Sequence, residues 1–151
     1  MNIQDPETMG LLGNVTWSVS NLCRGKPGPA EVLIKPAIEP LAALLKRNVS
    51  QDVTVDAVWA LSYLADGDDN RIQMVMDTNV APTLIEMLKL RHQPFLTPAV
   101  RTLGNFVTGT DVQTQATVDA GVISSIAEAG LLENSNVSLL YCPELFVLVR
   151  W

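Results

Sequence analysis

Apolar residues recur three or four apart in three stretches of the chain, Val15, Val19 and Leu22, then Val58, Leu61 and Leu64, then Val100, Leu103 and Phe106, and each set describes one buried helix face. Each stretch closes on a glycine, Gly25, Gly67 and Gly109, and the step between glycines is 42 residues both times. The same step relates Trp17, Trp59 and Arg101, and again Asn21, Tyr63 and Asn105. A fixed period of this size marks stacked helical repeats, in which no unit can bury its apolar face alone. The closing glycines suit a C′ position, where positive φ is tolerated. In the last stretch Thr97 and Pro98 form an N-cap and N1 pair that predicts a helix from there to Thr108.

Shorter helical patterns fill the intervals. Arg71 to Asp77 and Asp111 to Asp119 predict first helices; Ala37 to Arg47, Val80 to Leu90 and Val122 to Leu132 predict second helices. The expected architecture is therefore all-α, a solenoid with three helices per repeat. The section from Lys26 to Pro36, with Pro27, Gly28, Pro29 and Pro36, is expected to be a loop in place of one first helix. The chain divides into a polar tail over 1–10, a repeat array over 11–132 and a divergent apolar tail over 133–151. In that tail Pro143 falls one 42-residue step after Arg101, where a third helix would place its aromatic residue.

Composition narrows the chemistry. Of 151 residues 48% are hydrophobic, enough for a continuous core, while 16 acidic against 10 basic residues give a net charge of −6. That balance disfavours nucleic acid and favours a basic partner. Cys23 and Cys142 are far apart without a CxxC motif, and His92 has no partner at ligand or catalytic spacing, so no metal, cofactor or enzyme activity is expected. The first ten residues do not read as a secretory signal, and the apolar tail is too short to span a bilayer.

Trp17 and Asn21, Trp59 and Tyr63, and Arg101 and Asn105 are each four apart, so each pair shares one helix face. Stacked repeats turn the pairs into a ladder. An isolated Trp17 would read as core, but two tryptophans at repeat distance, beside an independently apolar face, leave the core without need of them. Indole faces form slots for lysine stems, with cation–π attraction of roughly 0.5–2 kcal/mol. An asparagine amide can pair with both groups of a peptide unit, or instead tie down a neighbouring loop. Asp56, three residues before Trp59, shares its face and can neutralise an ammonium. The Asp66 to Asp69 cluster reads equally well as a helix-capping loop, and Arg101 could pair with Asp66 or Asp69.

The segments NVTWSVSNLCRGKP, AVWALSYLADG and AVRTLGNFVTGTDVQTQ resemble the central armadillo repeats of the importin-α family, over about residues 11 to 132. They include the family's two interruptions, Tyr63 in place of Asn and Arg101 in place of Trp. The resemblance implies a right-handed armadillo solenoid and a nuclear import adaptor, cytoplasmic and nuclear, that binds Lys/Arg-rich localisation signals as extended peptides. Trp17, Asn21, Asp56, Trp59 and Tyr63 would belong to the downstream part of the major signal site, with Arg101, Asn105, Thr108 and Asp111 toward the minor one. The family opens with a basic segment for the importin-β carrier; the residues before Leu11 are acidic and polar, so carrier binding is not expected of them. The incomplete minor site leaves an alternative, a solenoid that self-associates or scaffolds without binding cargo.

Overall fold

The computed structural model describes residues 5–91 and 93–129. Among them are eight helices and no strand: α1 (Pro6–Cys23), α2 (Glu31–Arg47), α3 (Gln51–Leu64), α4 (Asp69–Met76), α5 (Ala81–Lys89), α6 (Gln93–Phe106), α7 (Asp111–Asp119) and α8 (Val122–Glu128). His92, Cys142, Pro143 and the whole 133–151 tail lie outside the described residues.

Short polar residues start four of these eight helices. Asp5, Ser50, Asp68 and Thr110 accept hydrogen bonds from the backbone N–H three residues on. At Thr110 the bond is reciprocated by Gln113 in a capping box. Once started, the helices stack by repeat position. The third helices α1, α3 and α6 form one layer with α3 in the middle, α2 packs on α3, and α5 packs on both α6 and α8. Ala57, Ala60 and Ala99 are wholly buried and let helices approach closely, while Leu45, Leu61, Leu64, Leu84, Leu88, Leu103 and Phe106 fill the space between.

The expected helical solenoid is observed, and its elements differ from the sequence reading in five places. Helix α2 begins at Glu31 and runs through Pro36 and Pro40, so the loop is confined to 24–30. Helix α6 begins at Gln93, which puts Thr97 and Pro98 inside it instead of at its start. Pro36 and Pro98 are each the sixth residue of their helix, and the carbonyl each leaves without a donor belongs to Val32 or Pro94, both exposed to water. Burial of Ile34, Ile38 and Leu41 in one helix, and of Leu96, Ala99 and Leu103 in the other, outweighs the lost bond. Helix α1 takes in residues 6–10, which the sequence assigns to a polar tail.

The fourth difference concerns the α1 face. Thr16, Ser20 and Cys23 are its buried residues, whereas Val15 and Leu22 are exposed and Val19 is half-buried. Their equivalents Ala57, Leu61 and Leu64 lie in α3, which α2 and α4 cover; α1 has its main partner in α3. The fifth concerns the glycines. Gly25 does adopt a positive φ of 141° past the end of α1. Gly67 and Gly109 do not, and are favoured instead by close approach: a Cβ would collide with Arg71 at the first and with Gln113 at the second, where Ile72 would also be tight at 3.3 Å.

Gln113 holds Thr110 N–H, Asp69 O and Gln73 Oε1 at 2.8–2.9 Å, so displacing it breaks a tie between successive repeats. Gly109→Ala is therefore expected to destabilise the chain by about 1–3 kcal/mol. Gly10→Ala, mid-helix with open space at its Cβ, should stabilise it by roughly 0.5–1 kcal/mol. Urea denaturation followed by circular dichroism measures both; equal effects would refute the close-approach explanation.

Candidate functional site

Three adjoining hollows run along the layer of third helices. The first, about 680 Å³, lies between α1 and the start of α3 and is lined by Trp17, Asp52 and Asp56 among others. The second, about 300 Å³, is enclosed by Trp17, Ser20, Asn21, Arg24, Asp56, Trp59 and Tyr63. The third, about 720 Å³, lies beyond Trp59 and Tyr63 and reaches Arg101, Arg71 and the 24–28 loop. Shared walls make them one groove: Trp17 and Asp56 border the first two, and Arg24, Trp59 and Tyr63 border the last two.

The groove follows from the 42-residue step. Because α1 packs on α3, residues at equivalent helix positions come side by side, and one turn of helix sets Asn21 beside Trp17 and Tyr63 beside Trp59. Trp17 is 60% exposed, which removes it from the core. Asn21 is exposed, and its Nδ2 donates to the Trp17 carbonyl at 2.8 Å, leaving its side-chain carbonyl oxygen free to accept. Trp59 and Tyr63 stack with centroids 5.7 Å apart and planes 23° from parallel. Arg101 continues the stack, its guanidinium carbon 5.4 Å from the Tyr63 centroid, while its Nη2 donates to Asp66 Oδ2 at 3.0 Å. Of the two partners considered for Arg101, Asp66 is the one engaged. Asp68 caps α4, accepting from Arg71 N–H at 3.0 Å.

The remaining sequence-derived residues do not line these hollows. Asn105 is 4% exposed, and its Nδ2 donates to the Ser62 carbonyl at 2.9 Å, tying α6 to α3. Thr108 is exposed past the end of α6, with Oγ1 donating to the Asn105 carbonyl, and Asp111 is exposed in the first turn of α7. Groove residues that the sequence reading missed are Asp52, Ser20, Arg24, Lys26 and Arg71. Asp52 could have been found from its i, i+4 spacing to Asp56; the others stand at α1's end, in the following loop or on α4, and no periodicity points to them.

Charge is distributed unevenly along the groove. Burial, and secondarily the neighbouring Asp52 carboxylate, raise the Asp56 pKa above the ordinary aspartate value. An incoming cation would offset both by favouring the ionised carboxylate. Cys23, at the base of the third hollow, has its thiol pKa pushed up by burial, with Arg71 opposing, so the thiol stays protonated and is a poor nucleophile.

Asn105→Ala leaves the buried Ser62 carbonyl without its donor and is expected to cost about 1–3 kcal/mol of stability, against less than about 0.5 kcal/mol for the exposed Asn21→Ala. Thermal or urea unfolding decides, and equal costs would mean that the α3–α6 tie carries no weight. For Asp56, a raised folded-state pKa means that the folded chain binds the proton more tightly than the unfolded chain. Its contribution to stability therefore falls as pH rises from the ordinary aspartate value through the raised one. Asp56→Asn should raise the urea midpoint at neutral pH, with the gain fading below the ordinary aspartate range; a gain that persists unchanged in acid would contradict this.

Comparison with known proteins agrees with this geometry. The pattern of the Armadillo/beta-catenin-like repeat family matches residues 26–66, which take in most of the 24–30 loop, α2 and α3. Importin subunit alpha-1a of Oryza sativa subsp. japonica is 47% identical over 111 residues, covering 74% of this chain and 21% of the relative. Importin subunit alpha-3 of Arabidopsis thaliana is 42% identical over 127 residues, covering 84% and 23%. The chain thus spans about a fifth of the length of the curated relatives it matches. Among solved structures, a designed armadillo repeat protein in complex with the peptide (KR)4 superimposes with a TM-score of 0.77 at 25% identity, covering 95% of this chain and 57% of that one. A second designed armadillo protein, at 23% identity and TM-score 0.81, shares the fold. The chain is an armadillo-repeat solenoid whose sequence places it in the importin-α family.

Proposed function

We propose that the groove binds extended Lys/Arg-rich peptides, the localisation signals of cargo destined for the nucleus, and that the chain works between cytoplasm and nucleus as part of an import adaptor. The observation that carries this reading is the single hollow enclosed by Trp17, Asn21, Asp56, Trp59 and Tyr63. Two indoles a repeat apart, Trp17 exposed and Trp59 half-buried, with a carboxylate beside both, suit an aliphatic stem ending in an ammonium or guanidinium. Helices packed about 8–10 Å apart meet a ligand rising about 3.3 Å per residue at every second or third residue, so the peptide is extended. The relatives' names as importin alpha subunits and the (KR)4 peptide held by the designed armadillo protein support the same ligand class.

In this reading Trp17 and Trp59 hold basic stems, Asp56 neutralises one charge, Asn21 accepts from the peptide backbone, and Tyr63 and Arg101 close the row of slots. Asn105 acts through the α3–α6 tie, and Thr108 and Asp111 belong to the next stretch of groove. Fluorescence anisotropy with a labelled Lys-rich signal peptide and its Lys-to-Ala control tests it. The Lys-rich peptide should bind at least tenfold more tightly, with the difference shrinking in high salt. Trp17→Ala with Trp59→Ala should abolish that binding while helical circular dichroism is retained, and equal binding of the two peptides would sink the proposal.

One observation favours self-association as a second reading: Leu11, Val15 and Leu22 form an exposed apolar strip on α1. Sedimentation velocity over a tenfold concentration range should then show a growing species, and Leu22→Gln should suppress it; a concentration-independent monomer removes this reading.

A further inference from the structure

We propose that the third hollow, beyond Tyr63, is an anion subsite, taking a carboxylate or phosphoryl group carried by the same peptide whose basic side chains occupy the Trp17–Trp59 end. The inference rests on the peptide-groove reading and adds to it a requirement that the ligand carry both signs of charge in a fixed order.

The chain has ten Lys and Arg residues and a net charge of −6. Four of those ten, Arg24, Lys26, Arg71 and Arg101, line this one hollow of about 720 Å³, and Asp66 is the sole carboxylate among its lining residues. Asp66 is already engaged twice, by Lys26 Nζ at 3.3 Å and Arg101 Nη2 at 3.0 Å. The wall therefore keeps a surplus of positive charge in an otherwise acidic molecule. Arg101 lines the hollow, and its Nε is a buried donor with no hydrogen-bond acceptor. Arg71 is held in place from two sides, its backbone N–H by Asp68 and its guanidinium by the Pro29 carbonyl. Gly28 makes room for it: a Cβ there would stand 2.9 Å from Arg71 Nη1. Fixed guanidinium groups around a concave site match the planar and tetrahedral oxygens of carboxylate and phosphate.

A nucleic acid does not fit, because Asp52 and Asp56 line the other end of the same groove and would repel a continuous polyanion. One anionic side chain beside a basic stretch fits both ends. With helices about 8–10 Å apart and a rise of about 3.3 Å per residue, the anion falls roughly three to six residues from the basic stretch.

Anisotropy competition with a peptide series tests this on the full chain. Each peptide carries the same Lys-rich stretch and, three to six residues to either side, Gln, Glu or phosphoserine at one position. On one side only, Glu should tighten binding about threefold over Gln and phosphoserine about tenfold, with the gain lost in high salt. The Glu and phosphoserine arms separate the two sources of the anion. Lys26→Glu, at an exposed position of the loop, should abolish the gain. No gain at any position, or a gain that survives Lys26→Glu, overturns the proposal. Should no peptide of the series bind, the groove reading itself fails, and the subsite is then read alone. N-acetyl-phosphoserine amide should shift the Trp59 indole resonance where N-acetyl-serine amide does not, and the absence of a selective shift overturns the subsite.

Discussion

The packing of α3 between its two equivalents, α1 and α6, is the contact on which the rest depends. A helix triplet of this kind exposes an apolar face on either side, and only the next copy covers it. The buried alanines at 57, 60 and 99 allow that approach, and Asn105 fastens it through the Ser62 carbonyl. Once α3 is sandwiched, residues 42 apart in sequence become neighbours in space. The groove is thus a by-product of core packing: what faces away from the buried side of α1, α3 and α6 lines up whether or not a ligand is present.

The groove in turn costs stability. Asp56 sits where burial and Asp52 both oppose its charge, Arg101 keeps one donor unsatisfied, and Trp17 leaves most of an indole in water. None of these is the choice that packing alone would make, and their concentration along one surface is the physical mark of a place shaped for something other than folding.

Much of this was legible in the sequence, because the 42-residue step constrains every copy at once. It identified the helical repeats, the core residues of α3 and α6, and five of the residues around the central hollow. It failed where a copy lacks its neighbours or a local rule yields to packing. Val15, Val19 and Leu22 repeat the core pattern, but α1 has its main partner on the Thr16 and Ser20 side. Pro36 and Pro98 look like helix boundaries, yet each sits where the lost bond involves the carbonyl of an exposed residue and the apolar face behind it is already buried. Asn105 matched Asn21 by position and not by environment, since a second helix covers one and water covers the other. Arg24, Lys26 and Arg71 were invisible because their meeting depends on how the 24–30 loop folds over α4, which no period encodes.

The stacked trio of Trp59, Tyr63 and Arg101 bears on how an elongated ligand finds its place. A ladder of identical rungs is degenerate: a repetitive chain could slip by one repeat and lose almost nothing, spreading itself over several alignments of equal energy. Replacing an amide by a phenol on one rung and an indole by a guanidinium on the next breaks that translational symmetry. With carboxylates at one end and cations at the other, the groove acquires an origin and a direction, so sliding by one step is no longer neutral.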